Sequence, residues 1–184
     1  MNIFVLDENP SIAAKAHCDK HVVKMIVESA QMLSTAHRML DGNECRRPSK
    51  SGKTMSRYWT LPDDRETHMY RAVHMHHPCT KWTMETSGNY DWHFMLYMAL
   101  CNEYQVRYGK IHKTDSCLSE ALCELPHHIK AAPRTQWAMA MKANPECMDP
   151  SDAVKSYRDF YKTKRTRFNM AWTNRPTPNW FNDK

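Results

Sequence analysis

Proline placement constrains this chain most, because a proline inside a helix removes a backbone donor and clashes with the preceding turn. Ten prolines leave three long proline-free windows, residues 11–47, 79–125 and 151–175, and the whole sequence holds only four glycines. Each window has room for one or two helices, and three- and four-residue apolar spacing predicts that helix fills them. A length of 184 residues suits one domain, residues 1–184, with a single sizeable core. Hydrophobic residues at 41% and charged residues at 25% exclude a fibrous or largely disordered chain. The expected fold is a mainly α, compact helical bundle with an extended Trp/Pro-rich C-terminal tail.

In the first window a short helix is predicted over residues 10 to about 17. Asp19 then caps a long helix that ends near Leu40, with Gly42 as a left-handed stop. Val22, Ile26, Ser29, Leu33, Ala36 and Leu40 share one face, predicted to be buried. His21, Lys24, Glu28, Gln31, Thr35 and Arg38 form the opposite, polar stripe. The second window predicts a short helix over residues 78 to about 86 and a longer one over 89–108, closed by Gly109. That longer helix is apolar nearly all round and is expected to be the central one. Asp115 caps a further helix over 116–124, residues 125–150 read as loop, and a last helix covers about 151–164 before a tail at 172–181. Residues 3–6 are the one stretch that reads as a strand.

Lys and Arg exceed the acids by six, and the excess is uneven. Arg46, Arg47, Lys50, Lys53 and Arg57 fall in a stretch without an acid. Lys155, Arg158, Lys162, Lys164, Arg165 and Arg167 alternate with Tyr157, Phe160, Tyr161 and Phe168. Two basic clusters with aromatics beside one of them suit phosphate contact and base stacking, though each alone also suits a solvated helix face. Seven cysteines, an odd number without a Cys-x-x-Cys pair, and an N-terminus too short in apolar run for a signal peptide predict free thiols in a cytoplasm. No apolar run is long enough to span a bilayer.

His21, Lys24 and Glu28 place an imidazole, an amine and a carboxylate on neighbouring turns, although such stripes are more often the wet side of a helix. His74, His76, His77 and Cys79, with Cys18 and His21 elsewhere, offer zinc-type donors, but their spacing fits no regular pair of ligand pairs. No metal and no cofactor are therefore expected, and His76 and His77 are read as facing nucleic acid. Ser51-Gly52-Lys53-Thr54 imitates the end of a phosphate-binding loop without its first glycine or a preceding strand. Gly-x-Ser-x-Gly and dinucleotide-type glycine fingerprints are absent, which sets aside those hydrolases and dehydrogenases.

Five passages carry a resemblance. They are Met1-Asn2-Ile3-Phe4-Val5-Leu6-Asp7, the run from Cys18-Asp19-Lys20-His21 to Glu28, His76-His77-Pro78-Cys79, Arg107-Tyr108-Gly109-Lys110-Ile111-His112, and Asn174-Arg175-Pro176-Thr177-Pro178-Asn179-Trp180. Together they resemble a family of small phage-encoded proteins, itself similar to the pyrimidine-dimer DNA glycosylases of the endonuclease V type. The seven-residue interval from His21 to Glu28, and Arg175-Pro176 followed by Trp180, match that pattern.

The resemblance implies a helical fold, residence in a bacterial host's cytoplasm and double-stranded DNA as partner. It also implies base excision by an amine that attacks the sugar C1′, with strand cleavage by elimination as a possible second step. Glu28 would stabilise positive charge and shuttle protons, and His21 would hold the substrate backbone. The chain departs from the pattern at Asn2, which leaves Met1 in place, and at Val27 and Gln31, where the glycosylases carry arginines. The nucleophile is then the Met1 amine or Lys24, and DNA contacts are expected from Arg46, Arg47, Lys53, Arg57, His76, His77, Lys162, Lys164, Arg165, Arg167 and Arg175. The alternatives are another nucleic-acid-modifying enzyme on this scaffold, using Glu28 and His21 without an amine, or a non-catalytic nucleic-acid-binding phage protein.

Overall fold

In the computed structural model, which describes residues 1–49 and 51–183, the first proline-free window forms two helices, α1 (Pro10–Ala16) and α2 (Asp19–Asp41). The Asn9 side chain accepts from the N–H groups of Ser11 and Ile12, and Pro10 fills a first-turn position whose missing N–H has no partner to lose. Cys18, not Asp19, is the N-cap of α2. Asp19 lies inside the first turn, where its carboxylate accepts from Thr173 N–H and the Arg107 guanidinium, both at 3.0 Å. Gly42 ends the helix with φ −89°, so the predicted left-handed stop does not form there. Glycine is needed for closeness instead, because a Cβ at that position would collide with the Arg38 carbonyl oxygen.

The second window gives α4 (Pro78–Glu85), α5 (Ser87–Tyr108) and α6 (Lys113–Cys123), all packed against α2. Gly109 closes α5 in the left-handed region, φ 65°, as its position predicts. His112, three residues before Asp115, caps α6 through its ring nitrogen. The expectation that α5 is the central helix needs correction. Met95 is 53% and Val106 40% exposed on its outer face, whereas α2 exposes only Lys20, Val23 and Lys24. Apolar composition alone did not separate the two, because the outer face of α5 carries methionines while the inner face of α2 carries serines and a threonine.

The predicted polar stripe of α2 is the second correction. His21, Thr35 and Arg38 are buried, and Lys24 is the member that stands in solvent. An antiparallel hairpin, β1 (Asn43–Pro48) and β2 (Met55–Thr60), together with the short helix α3 (Arg65–His68), covers the C-terminal half of that stripe. The Arg38 guanidinium, 1% exposed, donates to the carbonyls of Trp59, Glu66, Met69 and Tyr70 and to the Glu66 carboxylate at 2.6 Å. One arginine thus satisfies four backbone acceptors that would otherwise be buried unpaired.

Residues 3–6 form no strand. They run as buried, irregular chain with Phe4 at φ 38°, where a ladder cannot continue. Their polar groups find partners within the core: Phe4 N–H donates to Asn2 Oδ1, the Asn2 amide to the Ala140 carbonyl, and Arg158 to the Leu6 carbonyl.

The third window forms α7 (Ala153–Lys162), capped by Asp152, with a 3₁₀ turn over Thr163–Thr166. The Trp-rich tail is pinned at Trp172, whose indole donates to the Ala16 carbonyl, and it closes in a single helical turn, α8 (Asn179–Asn182). The fold is mainly α and compact. No described helix is long and apolar enough to cross a membrane.

Candidate active site

The buried N-terminal segment passes between the start of α2, α4 and α7, so the chain's first amine is delivered to the side of α2. Glu28 receives it. The Met1 amine lies 3.7 Å from Glu28 Oε2, and Asn2 N–H donates to the same oxygen at 3.0 Å. Lys24, one turn earlier, brings its ammonium to 3.3 Å from Oε1. Glu28 is 14% exposed and Lys24 64%, so the carboxylate is recessed with an exposed cation at its rim. Of the four residues assigned to catalysis by the sequence, Met1, Lys24 and Glu28 meet at one carboxylate.

The fourth, His21, sits a turn further towards the N-terminus of α2 in an aromatic cage. Its ring stacks on Phe4, 5.1 Å between centroids, and meets the edges of Tyr161 and Phe168. Nδ1 lies 2.7 Å from the Tyr161 hydroxyl, which also accepts from Cys18 N–H at 2.9 Å. Burial, helped by the Lys24 and Lys164 charges, pushes the His21 pKa down to about 4, so the ring is neutral near pH 7. A neutral ring with Nδ1 facing a hydroxyl can present Nε2–H as a hydrogen-bond donor, but not as a cationic clamp on phosphate.

His77 borders the same site. Burial comes first and the Met1 amine second in lowering its pKa, while Glu28 opposes them. His77 Nδ1 also accepts from Cys79 N–H and so caps α4. His74 and His76, with Arg57 and His77, line an open cleft of about 500 Å³ that runs from the hairpin towards this corner. Cys79 is buried against the Tyr157 hydroxyl, within reach of the Met1 and Glu28 charges. Phe4 and His74, at φ 38° and 49°, are two of the three non-glycine residues with positive φ among the described residues, and both adjoin this site. Residues held in such unfavourable backbone conformations concentrate at functional sites.

The basic residues divide into free and committed groups. Arg46, Lys53, Arg165 and Arg167 are exposed, and none of them appears in an ion pair among the described residues. Arg57 is engaged bidentately by Glu44, Arg47 by Glu66 and the Tyr58 ring, and Lys162 by Asp159. Arg175 is held bidentately by Glu103, itself locked by Arg107, so its first role is to fasten the tail. Lys50 lies outside the described residues.

Base stacking on the second basic cluster is not supported. Tyr157, Phe160 and Tyr161 are buried, Phe160 already carries Lys164 at 3.4 Å, and Arg165 lies over Phe181 at 3.8 Å. The interleaving of cations and aromatics is an internal cation–π arrangement, a possibility that spacing alone does not distinguish from a nucleic-acid platform.

Two features of the site are invisible in the sequence: the Tyr161 hydroxyl as the group that orients His21, and Lys164 as a buried side chain over the Phe160 ring. Comparison with protein-family models, with curated proteins and with solved structures finds no match to this chain.

Proposed function

We propose that the protein is a DNA glycosylase acting on damaged or modified bases in double-stranded DNA, with the Met1 amine as nucleophile and Glu28 as its partner. One observation carries this reading: an α-amine and a recessed carboxylate lie 3.7 Å apart, at a corner reached by a cleft of histidines and arginine. With the target nucleotide extruded from the duplex, the amine lone pair attacks C1′. The bond from C1′ to the base nitrogen breaks and its electron pair leaves with the base, while Glu28 takes the proton released by the amine. Glu28 passes that proton to O4′ as the C1′–O4′ bond breaks and the nitrogen lone pair closes the C1′=N bond, so the ring-opened sugar remains joined to the protein as an iminium facing the Glu28 carboxylate. His21 donates from Nε2 to a sugar or phosphate oxygen, and Arg46, Lys53, Arg165 and Arg167 neutralise the flanking phosphates.

The test is borohydride trapping on ultraviolet-irradiated and untreated duplex. The expected result is a covalent adduct on irradiated DNA alone, mapped to Met1, reduced at least a hundredfold in Glu28→Gln and in a chain extended by one residue before Met1. A second reading rests on the Asn2 N–H bond: Glu28 would serve only to anchor the N-terminus. On that reading Glu28→Gln lowers the melting temperature, irradiated DNA yields no adduct, and binding to both duplexes stays equal.

A further inference from the structure

Lysine is almost never buried without a partner, because its ammonium is strongly hydrated and costly to remove from water. Lys164 departs from this. It is 6% exposed, and its amine makes no ion pair or hydrogen bond among the described residues. Its Nζ lies 3.4 Å from the centroid of the Phe160 ring. Its amine nevertheless is not among the sealed, unpartnered polar atoms of the core, so it opens to solvent.

The charged groups facing it are mostly of its own sign. Burial comes first and the Arg167 charge second in bringing the pKa down to about 8, with Cys147 opposing them and Lys24 adding the smallest push. At pH 7.5 roughly a quarter of such an amine is neutral, against about 0.1% for an ordinary lysine. Lys24, the sequence's own candidate, is instead exposed and paired with Glu28. Phe160, which Lys164 covers, stacks on Phe4 at 5.8 Å, and Phe4 stacks on His21 at 5.1 Å, so Lys164 stands at the end of the aromatic stack that holds the imidazole.

We infer that Lys164 is a second amine nucleophile of this site, placed to condense with an aldehyde, and that its partner is the ring-opened sugar of an abasic nucleotide. The choice of that partner rests on the base-excision reading above; the reactivity of the amine does not. Water first hydrolyses the Met1 iminium, freeing the α-amine and the C1′ aldehyde. The Lys164 lone pair attacks that aldehyde carbon, a carbinolamine forms, and loss of water gives the imine. Solvent at the wet edge takes a C2′ proton, the C–H electron pair forms the C2′=C3′ bond, and the C3′–O bond breaks with its pair leaving on the 3′-phosphate, with no oxidant or cofactor required. The wet edge of the site thereby supplies the lyase step, and the Met1–Glu28 pair the excision step.

Two measurements on the full chain test this. First, brief reductive methylation with formaldehyde and cyanoborohydride at pH 7.5 is read residue by residue by mass spectrometry. Lys164 is expected to react at least tenfold faster than Lys24, with a rate that rises to a plateau above about pH 8. Second, a duplex containing a preformed abasic site, which needs no base excision, is trapped with borohydride. The adduct is expected on Lys164, falling at least tenfold in Lys164→Arg, which keeps the charge over Phe160. Lys164→Met, which keeps the packing, should behave likewise.

Methylation of Lys164 no faster than that of Lys24, or an abasic adduct on Met1 alone, overturns the inference and leaves the excision reading standing. A Lys164 adduct on the abasic duplex, with no excision from irradiated DNA, supports the inference and removes the excision reading instead.

Discussion

Tyr161 gathers more of the candidate site onto one atom than any other residue. Its hydroxyl accepts from the N–H of Cys18, meets His21 Nδ1 at 2.7 Å and lies 3.4 Å from the Cys18 thiol, so the start of α2 and the imidazole share one anchor. Tyr161→Phe leaves a buried N–H and a buried ring nitrogen without a partner while preserving shape. Losing such partners costs about 1–3 kcal/mol, which urea unfolding would read as a lower midpoint with an unchanged slope. Nitrogen NMR of His21 should show the ring tautomer shift in the same variant. An unchanged midpoint together with an unchanged tautomer would mean that Tyr161 is packing and no more. Nothing in the spacing of His21, Lys24 and Glu28 announces this tyrosine, since it lies 140 residues away in sequence from the histidine it orients.

The helices were legible because each answers to local rules, with proline-free windows, Gly109 as a left-handed stop and apolar spacing along α2; their caps were not, since Cys18 and His112 stand where Asp19 and Asp115 were expected. The hairpin was not. Asn43–Pro48 and Met55–Thr60 lack apolar alternation, and their pairing is held by what sits beneath them, Arg38 binding the Trp59 carbonyl and Glu66 joining Arg38, Arg47 and Tyr58. Burial of the polar stripe on α2 was hidden for the same reason: periodicity shows that one face is polar, not whether another element covers it. The meeting of Met1 with Glu28 was legible only through resemblance.

The hairpin carries its own prediction. Arg46 and Lys53 are exposed and form no ion pair among the described residues, whereas Arg57 is already neutralised by Glu44. If the hairpin rides on DNA backbone, Arg46→Gln with Lys53→Gln should flatten the slope of log Kd against log salt by about 2, and Arg57→Gln by much less. Equal effects from the three would place the duplex elsewhere on the surface.

At the scale of the whole molecule, four buried histidines govern the response to acid. Burial pushes His17 and His93 down to about 3, and His21 and His37 down to about 4. Geometry agrees with neutral rings. His37 Nδ1 faces the Arg65 guanidinium at 2.9 Å and must accept, while its Nε2 meets the Tyr90 hydroxyl at 2.8 Å. His17 and His93 each keep Nε2 sealed without a partner among the described residues, so a proton there would be a buried, unpaired charge. In the unfolded chain these rings titrate near 6.5. Below that value the unfolded state binds protons the folded state refuses, so the stability they contribute is whole above about 6.5 and drains as pH falls towards the folded values of 3 to 4.

Each ring costs about 1.4 kcal/mol per pH unit over that range, and four together about 5, which is comparable to the entire stability of a modest domain. Asp41 and Glu66 act later. Burial opposes their ionisation, but Arg65 and Arg38 respectively bring them down to about 2, so their contribution holds until the pH falls below about 4. Unfolding followed by far-ultraviolet circular dichroism should therefore be cooperative, with a midpoint between about pH 4 and 6, driven by histidine protonation before these two carboxylates give way. His93→Gln, which removes one of the four titrations, should flatten the dependence of stability on pH by about a quarter across pH 4.5–6 even if the protein is weaker at pH 7. A native spectrum at pH 3.5 would show that these rings reach solvent or rearrange, and with them the cage around His21.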